Sequence, residues 1–253
     1  MIVSVINLTD GAVTDTDLLR SIRAVNRQLR EDFEPYWSFG GELRLEGKTG
    51  RKRTFDAADM RGDAVLYLRT VCRIRDADGF HDAHYSGVPY GFVFLELAHA
   101  LDEDWRVTLS HEALELVGDP EANLLVQGPH PRHPRRTVFH YFEMCDAVQS
   151  ESYEIDGVPL SNFVLPLYFT ASQERGGRND FLGTKHARGQ TLKSFGVNPG
   201  GYIGFFDPSL GRHGKDDDFE AEDDALARKR RRLKRRLGTG RGNLRRSRVL
   251  TRR

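Results

Sequence analysis

Residues 2–6 form a short run of β-branched and apolar positions, which reads as a buried strand. After a polar turn, Thr14 or Asp15 is placed to cap a helix. Leu18, Leu19, Ile22, Val25, Leu29 and Phe33 then recur at three- and four-residue steps, which predicts one apolar helical face as far as Phe33. Pro35 is expected to stop it. Strands are predicted over residues 38–45 and 64–74, the second from alternation at Val65, Tyr67, Arg69 and Val71. Residues 76–91, rich in Gly, His and Asp, read as a loop. Residues 91–97 read as a short apolar edge strand and residues 105–117 as a helix. A proline-marked loop follows, with Pro129, Pro131 and Pro134. Residues 137–142 read as extended, and residues 158–169 alternate before the aromatic pair Tyr168-Phe169. The order of strand, long helix, two strands, edge strand and helix predicts an α+β chain with helices packed on one mixed sheet.

Composition narrows this picture. Hydrophobic residues are only 38% of the 253, but 15 Phe, 8 Tyr and 2 Trp suffice for a core and argue against wholesale disorder. No apolar run approaches the roughly 20 residues of a membrane-spanning helix. The first residues lack the basic start and long apolar segment of a signal peptide. Two cysteines, Cys72 and Cys145, make no disulfide framework, so the expected setting is reduced and cytoplasmic, away from membranes.

The net charge of +1 conceals an asymmetry. Fourteen of the 38 Lys and Arg lie between Arg228 and Arg253, where there is no Asp or Glu. The preceding 227 residues then carry a net −13. An acidic run, Asp216 to Asp224, comes just before the basic block. Such blocks bury too little to offset their ordering entropy, so a body of residues 1–212 and a disordered acidic-then-basic tail of residues 213–253 are expected. The tail's expected partner is an anionic surface, either nucleic acid bound without sequence preference or the acidic body itself.

The candidate chemistry sits on the helix at residues 105–117. His111 and Glu115 are four apart and project from one face, where an imidazole and a carboxylate can grip one divalent ion. Glu112 is rotated by about 100° from His111, beside the ion rather than on it, as a general base requires. The alternative is a charged face that is simply solvated. Leu114, Leu116 and Val117 supply an apolar opposite face, and Gly118-Asp119-Pro120 ends the helix sharply, with glycine suited to a left-handed turn.

The segment Ser110-His111-Glu112-Ala113-Leu114-Glu115 with Asp119-Pro120 resembles the active helix of zincin-type metallopeptidases. It is more closely similar to uncharacterised bacterial and phage proteins carrying Ser-His-Glu-x-x-Glu, Asp-Pro and a later Glu-x-x-Asp, here Glu143-Met144-Cys145-Asp146. The likeness covers element order over about residues 1–170, and its specific part is residues 108–120 and 143–168. Glu115 replaces the usual second histidine, and Glu121 stands where a metzincin has its third. The resemblance implies a zincin-like fold and a zinc-dependent peptidase. His111 and Glu115 would hold Zn²⁺, and Glu112 would deprotonate a metal-activated water that attacks a peptide bond of a protein substrate.

Glu143 is the first choice of third ligand, Asp119 the next, with Asp146 and Glu121 as alternatives. His81 and His84 are candidates for lining the cleft or holding a second metal. Cys145 carries no mark of an activated nucleophile. Tyr168 and Tyr202 are oxyanion stabilisers by chemistry alone. Two other functions fit the residues: an inactive, virion-associated structural relative, and a nucleic-acid-associated protein acting through its basic tail.

Overall fold

The computed structural model describes residues 1–46, 62–71, 79–83, 87–100, 102–170, 177–210 and 215–220. Strand β1 (Ile2–Leu8) opens the chain, with Val3 and Val5 fully buried. The Thr14 hydroxyl then accepts from the Asp17 amide at 3.1 Å and caps α1 (Asp15–Arg27). Leu18, Ile22, Val25, Leu29 and Phe33 all turn inward as the spacing predicts, whereas Leu19 is exposed. Pro35 does not end the helix. The backbone widens into a π-helical segment at Gln28–Phe33, and Pro35 falls in the first turn of α2 (Glu34–Trp37), where its missing N–H needs no partner. Ser38, at φ 60°, makes the stop.

Four further strands complete the first sheet: β2 (Glu42–Glu46), β3 (Ala64–Arg69), β4 (Gly79–Ala83) and β5 (Pro89–Phe94). Their order is β2-β1-β3-β5-β4. All neighbours are parallel except β4, which runs antiparallel to β5. Two expectations change here. The segment expected as a loop contains strand β4, and β4, not the segment at 91–97, is the edge. Nothing in Gly79-Phe80-His81-Asp82-Ala83 alternates as a half-buried strand should, so its pairing comes from the neighbouring strand. Strand β3 is buried on both faces from Ala64 to Leu68, as a central parallel strand must be, so its apparent alternation carries no inside and outside. Residues 72–78 and 84–86, with Cys72 and His84, lie outside the described residues.

After β5 the chain goes directly into α3 (Leu95–Ala100), so the strand expected to reach residue 97 stops at Phe94. Helix α4 (Trp105–Gly118) follows, capped by the Asp104 carboxylate accepting from the Arg106 amide at 2.9 Å. It is buried nearly all round, on Leu109, Ala113, Leu114 and Leu116 and equally on Ser110, Glu112 and Glu115. The proline-marked segment expected as a loop instead forms β6 (Leu125–His130) and the start of β7 (His133–Tyr141), paired as a hairpin, and the extended reading of residues 137–142 falls in β7 as far as Tyr141. The prolines are tolerated because β6 is an edge strand and Pro134 precedes the part of β7 that pairs on its other side. A small ribbon of β8 (Ser152–Ile155) and β9 (Val158–Ser161) packs on α4 and α1.

The second sheet, ordered β11-β10-β7-β6, is completed by β10 (Tyr202–Asp207) and β11 (Lys215–Glu220). The start of the acidic run, placed by sequence in the tail, is thus a strand paired with β10 from Lys215 to Glu220. Residues 221–253, with the whole basic block, lie outside the described residues. No helix among the described residues is long and apolar enough to cross a membrane.

Two tests follow from this packing. A methyl group on Gly201 would sit 2.1 Å from the Ala147 carbonyl oxygen. Gly201→Ala is expected to lower stability by about 1–3 kcal/mol through overpacking, read as a fall in the thermal midpoint. The second concerns His140 of β7, whose Nε2–H donates to the Pro129 carbonyl at 2.9 Å while its ring lies against Phe195 and Phe205. Burial, and secondarily His130, pushes its pKa down to about 4. Between about 6.5 and 4 the unfolded chain binds this proton and the folded chain does not, so stability falls as pH drops through that window. His140→Gln, which keeps a donor for Pro129, should flatten that slope relative to wild type in urea titrations at pH 7, 5.5 and 4.5.

Candidate metal centre

Helix α4 is held in place by a buried polar triangle. The Ser110 hydroxyl donates to Gln28 Oε1 at 2.7 Å and accepts from the Ser161 amide at 3.1 Å. Gln28 Nε2 donates back to the Ser161 carbonyl at 2.9 Å. Three segments distant in sequence are thereby tied together one residue before His111. At the other end of the helix, Gly118 is not left-handed as expected. Its missing side chain admits Met144, whose Cε would lie 2.5 Å from a Cβ at that position. Met144 is fully buried in the core, and its approach carries Glu143, Cys145 and Asp146 onto the polar side of α4.

Glu115 lies at the middle of what results. Its Oε1 is 3.1 Å from His111 Nε2 and accepts the Cys145 amide at 3.2 Å. Asp146 Oδ1 lies 3.4 Å from the same nitrogen of His111. On the other side, Glu115 Oε2 is 3.5 Å from Nδ1 of His81, which reaches in from the edge strand β4. Glu112 Oε2 is 4.0 Å from that Nδ1, and Glu143 Oε2 is 3.9 Å from His81 Nε2. All these side chains except His111 are buried. His111, with 13% of its side chain exposed, is the most accessible to solvent.

Such burial works against every charge in the cluster, and the charges answer one another. Burial alone would lower the pKa of His111, but the Glu115 and Asp146 carboxylates outweigh it and hold the imidazole well above its usual range. Burial alone would raise Glu115, but the attraction of His111, supplemented by His81, holds it below the usual carboxylate range. Burial pushes the Cys145 thiol well up, against formation of the thiolate.

Two groups of donors stand close enough to share a cation: His111, Glu115 and Cys145, and His81, Glu115 and Glu143. In each, the ligand atoms lie within 4.8 Å of one another. Imidazole, carboxylate and thiol are the donors of a borderline ion such as zinc. An orphaned atom strengthens the fit, since the buried Nε2 of His81 has no hydrogen-bond partner among the described residues.

Of the ligands expected from sequence, His111, Glu115 and Glu143 are brought together, although Glu143 groups with His81 rather than with His111. Glu112 is beside them. Asp119 belongs to neither group. It caps α4, with its Oδ2 accepting the Leu124 amide at 2.9 Å, and turns the chain toward β6. Glu121 is exposed and accepts from Asn123. Tyr168 donates to the Gly196 carbonyl at 2.8 Å, in the second core with Ala147 and Val148. His130 and His133 lie against each other on the hairpin with their rings tilted by 55°.

Sequence reasoning left Cys145 out as a metal donor and ranked His81 below the helix residues. The only signal for Cys145 was its place inside Glu-x-x-Asp. For His81 it was the position just before the apolar segment now seen as β5. No known protein family, curated protein or solved structure matches the chain.

Proposed function

We propose that the chain is a metal-dependent hydrolase acting on peptide bonds, with His111, Glu115 and Cys145 as the donors for a divalent ion, zinc by preference. The observation that carries this reading is the convergence of imidazole, carboxylate and thiol on one point of a buried helix, with a further carboxylate, Glu112, beside them and not in the donor group. A divalent ion bound there supplies Lewis acidity. The protein's own part is to orient that donor set and to move a proton. Glu112 takes the proton of the attacking water as its oxygen bonds to the carbonyl carbon, and returns it to the amide nitrogen as the C–N bond breaks. Asp146 Oδ1 lies 3.4 Å from the same Nε2 of His111 that faces Glu115, a further carboxylate on the donor side of that ring.

The peptide as substrate is supported by β4. This strand ends the first sheet, and among the described residues no strand covers its outer edge. An extended peptide added there would run next to His81 and the cluster. The element order also supports the zincin-like reading that the motif suggested: a long helix after the first strand, an antiparallel edge strand, and the charged helix after the last strand.

Purified full-length protein is expected to carry divalent metal by elemental analysis, and His111→Ala to lose it from the His111 donor group. Equal metal content in both would remove the site. Glu112→Gln is expected to keep the metal and to slow hydrolysis of a mixed peptide library on the order of 10²–10⁴-fold. Unchanged turnover would reject Glu112 as the base.

A further inference from the structure

The two donor groups share one residue, and they use different atoms of it. Oε1 of Glu115 faces His111 and the Cys145 amide, whereas Oε2 faces His81. A carboxylate presented in this way has one lone-pair face on each side. We propose that Glu115 bridges two cation sites, so that the cluster holds a second divalent ion between Glu115 Oε2, His81 and Glu143. This rests on the metal-binding reading above and extends it from one ion to two.

Three observations carry it. First, the second group is a complete donor set in its own right. It has one imidazole and two carboxylates within 4.8 Å of one another, and all three side chains are no more than 8% exposed. Second, His81 has a ring nitrogen aimed into this group with no hydrogen bond. Nε2 is buried without a hydrogen-bond partner among the described residues, and Glu143 Oε2 is 3.9 Å away. That is longer than a hydrogen bond. It matches two ligands of a common ion, since donors about 2.0–2.2 Å from a metal stand 3–4 Å from each other.

Third, the charges count in favour of two ions. Four buried carboxylates, Glu112, Glu115, Glu143 and Asp146, surround two imidazoles. An imidazole that ligates a metal is neutral. With one ion on the His111 side, even a protonated His81 leaves a buried negative excess. With two divalent ions and neutral histidines, the four carboxylates are balanced, and only the charge of the ligating Cys145 thiolate remains. Paired ions about 3.5–4 Å apart are a known arrangement for hydrolysis, and a shared carboxylate sets such a spacing. The two sites also differ in character. The His111 site, with its thiol, is the softer, and the His81 site, with two carboxylates, is the harder and suits Zn²⁺, Mn²⁺ or Co²⁺.

The test is metal stoichiometry on the full chain. Protein stripped with chelator is titrated with Zn²⁺, and separately with Co²⁺, and bound metal per folded chain is read by elemental analysis after gel filtration. Wild type is expected to bind two ions. His81→Gln and Glu143→Gln are each expected to bind one, with the Co²⁺–thiolate absorption of the remaining site retained. His111→Ala is expected to keep one ion and to lose that absorption. Thermal unfolding of each variant checks that it is folded, and His81→Asn serves if His81→Gln is not. One ion in wild type, or the same stoichiometry in wild type and His81→Gln, overturns the second site while leaving the His111 site standing. No ion in wild type overturns both.

Discussion

Helix α4 is enclosed on all sides, and this constraint organises the rest of the molecule. Its apolar residues meet the first sheet and α1, as any amphipathic helix would arrange. Its two carboxylates hardly meet water. Glu112 and Glu115 are buried beside fully buried leucines. A buried carboxylate without compensation is costly enough to be excluded from ordinary cores. The chain must therefore bring compensating groups to that face. It does so from two directions, with His81 from strand β4 and the turn carrying Glu143 to Asp146.

Each delivery has a mechanical cause. The turn at residues 143–146 is drawn in by Met144, which fills the space that Gly118 leaves open, and it is backed by Gly201 against Ala147. Helix α4 is kept from rotating by the Ser110, Gln28 and Ser161 hydrogen bonds. A rotation of one residue, about 100°, would break that triangle and carry His111 and Glu115 together away from His81 and the turn at residues 143–146. Packing and polar satisfaction thus select the same orientation of the helix, and the ionisable groups inherit a defined geometry.

Much of this was legible in the residues. Helix α1 shows five inward positions at helical spacing, and its cap is a side chain that makes the expected bond. The pairing of His111 with Glu115 follows from four-residue spacing alone, because helical geometry acts within one turn. The turn at 143–146 was marked by its own motif. Less legible were the strands without internal pattern. Strand β4, strand β6 and the start of β7 carry histidines, prolines and charges, and only residues 137–142 of the β6 and β7 hairpin read as extended. They are strands because a neighbour offers its backbone, and backbone pairing leaves little trace in side-chain order. The acidic start of β11 was misplaced in the tail for the same reason: three consecutive aspartates predict solvation, but β10 supplies the ladder.

The sequence by itself determined the local chemistry: a helix with His111, Glu112 and Glu115 in fixed angular relation, a glycine at its end, and a core rich enough in aromatics to enclose it. Local geometry needs only φ, ψ and side-chain type, and those are written residue by residue. Tertiary structure decided which distant groups complete the site. It set Asp119 to cap the helix instead of joining the cluster, placed Cys145 within reach of His111 and Glu115, and seated His81 on the opposite oxygen of Glu115 from His111. Those choices depend on the register of β4 on β5, where His81 stands opposite Gly91, and on the depth to which Met144 enters beside Gly118. A one-residue slip in that register would turn His81 to the other face of the sheet, because successive side chains in a strand point in opposite directions.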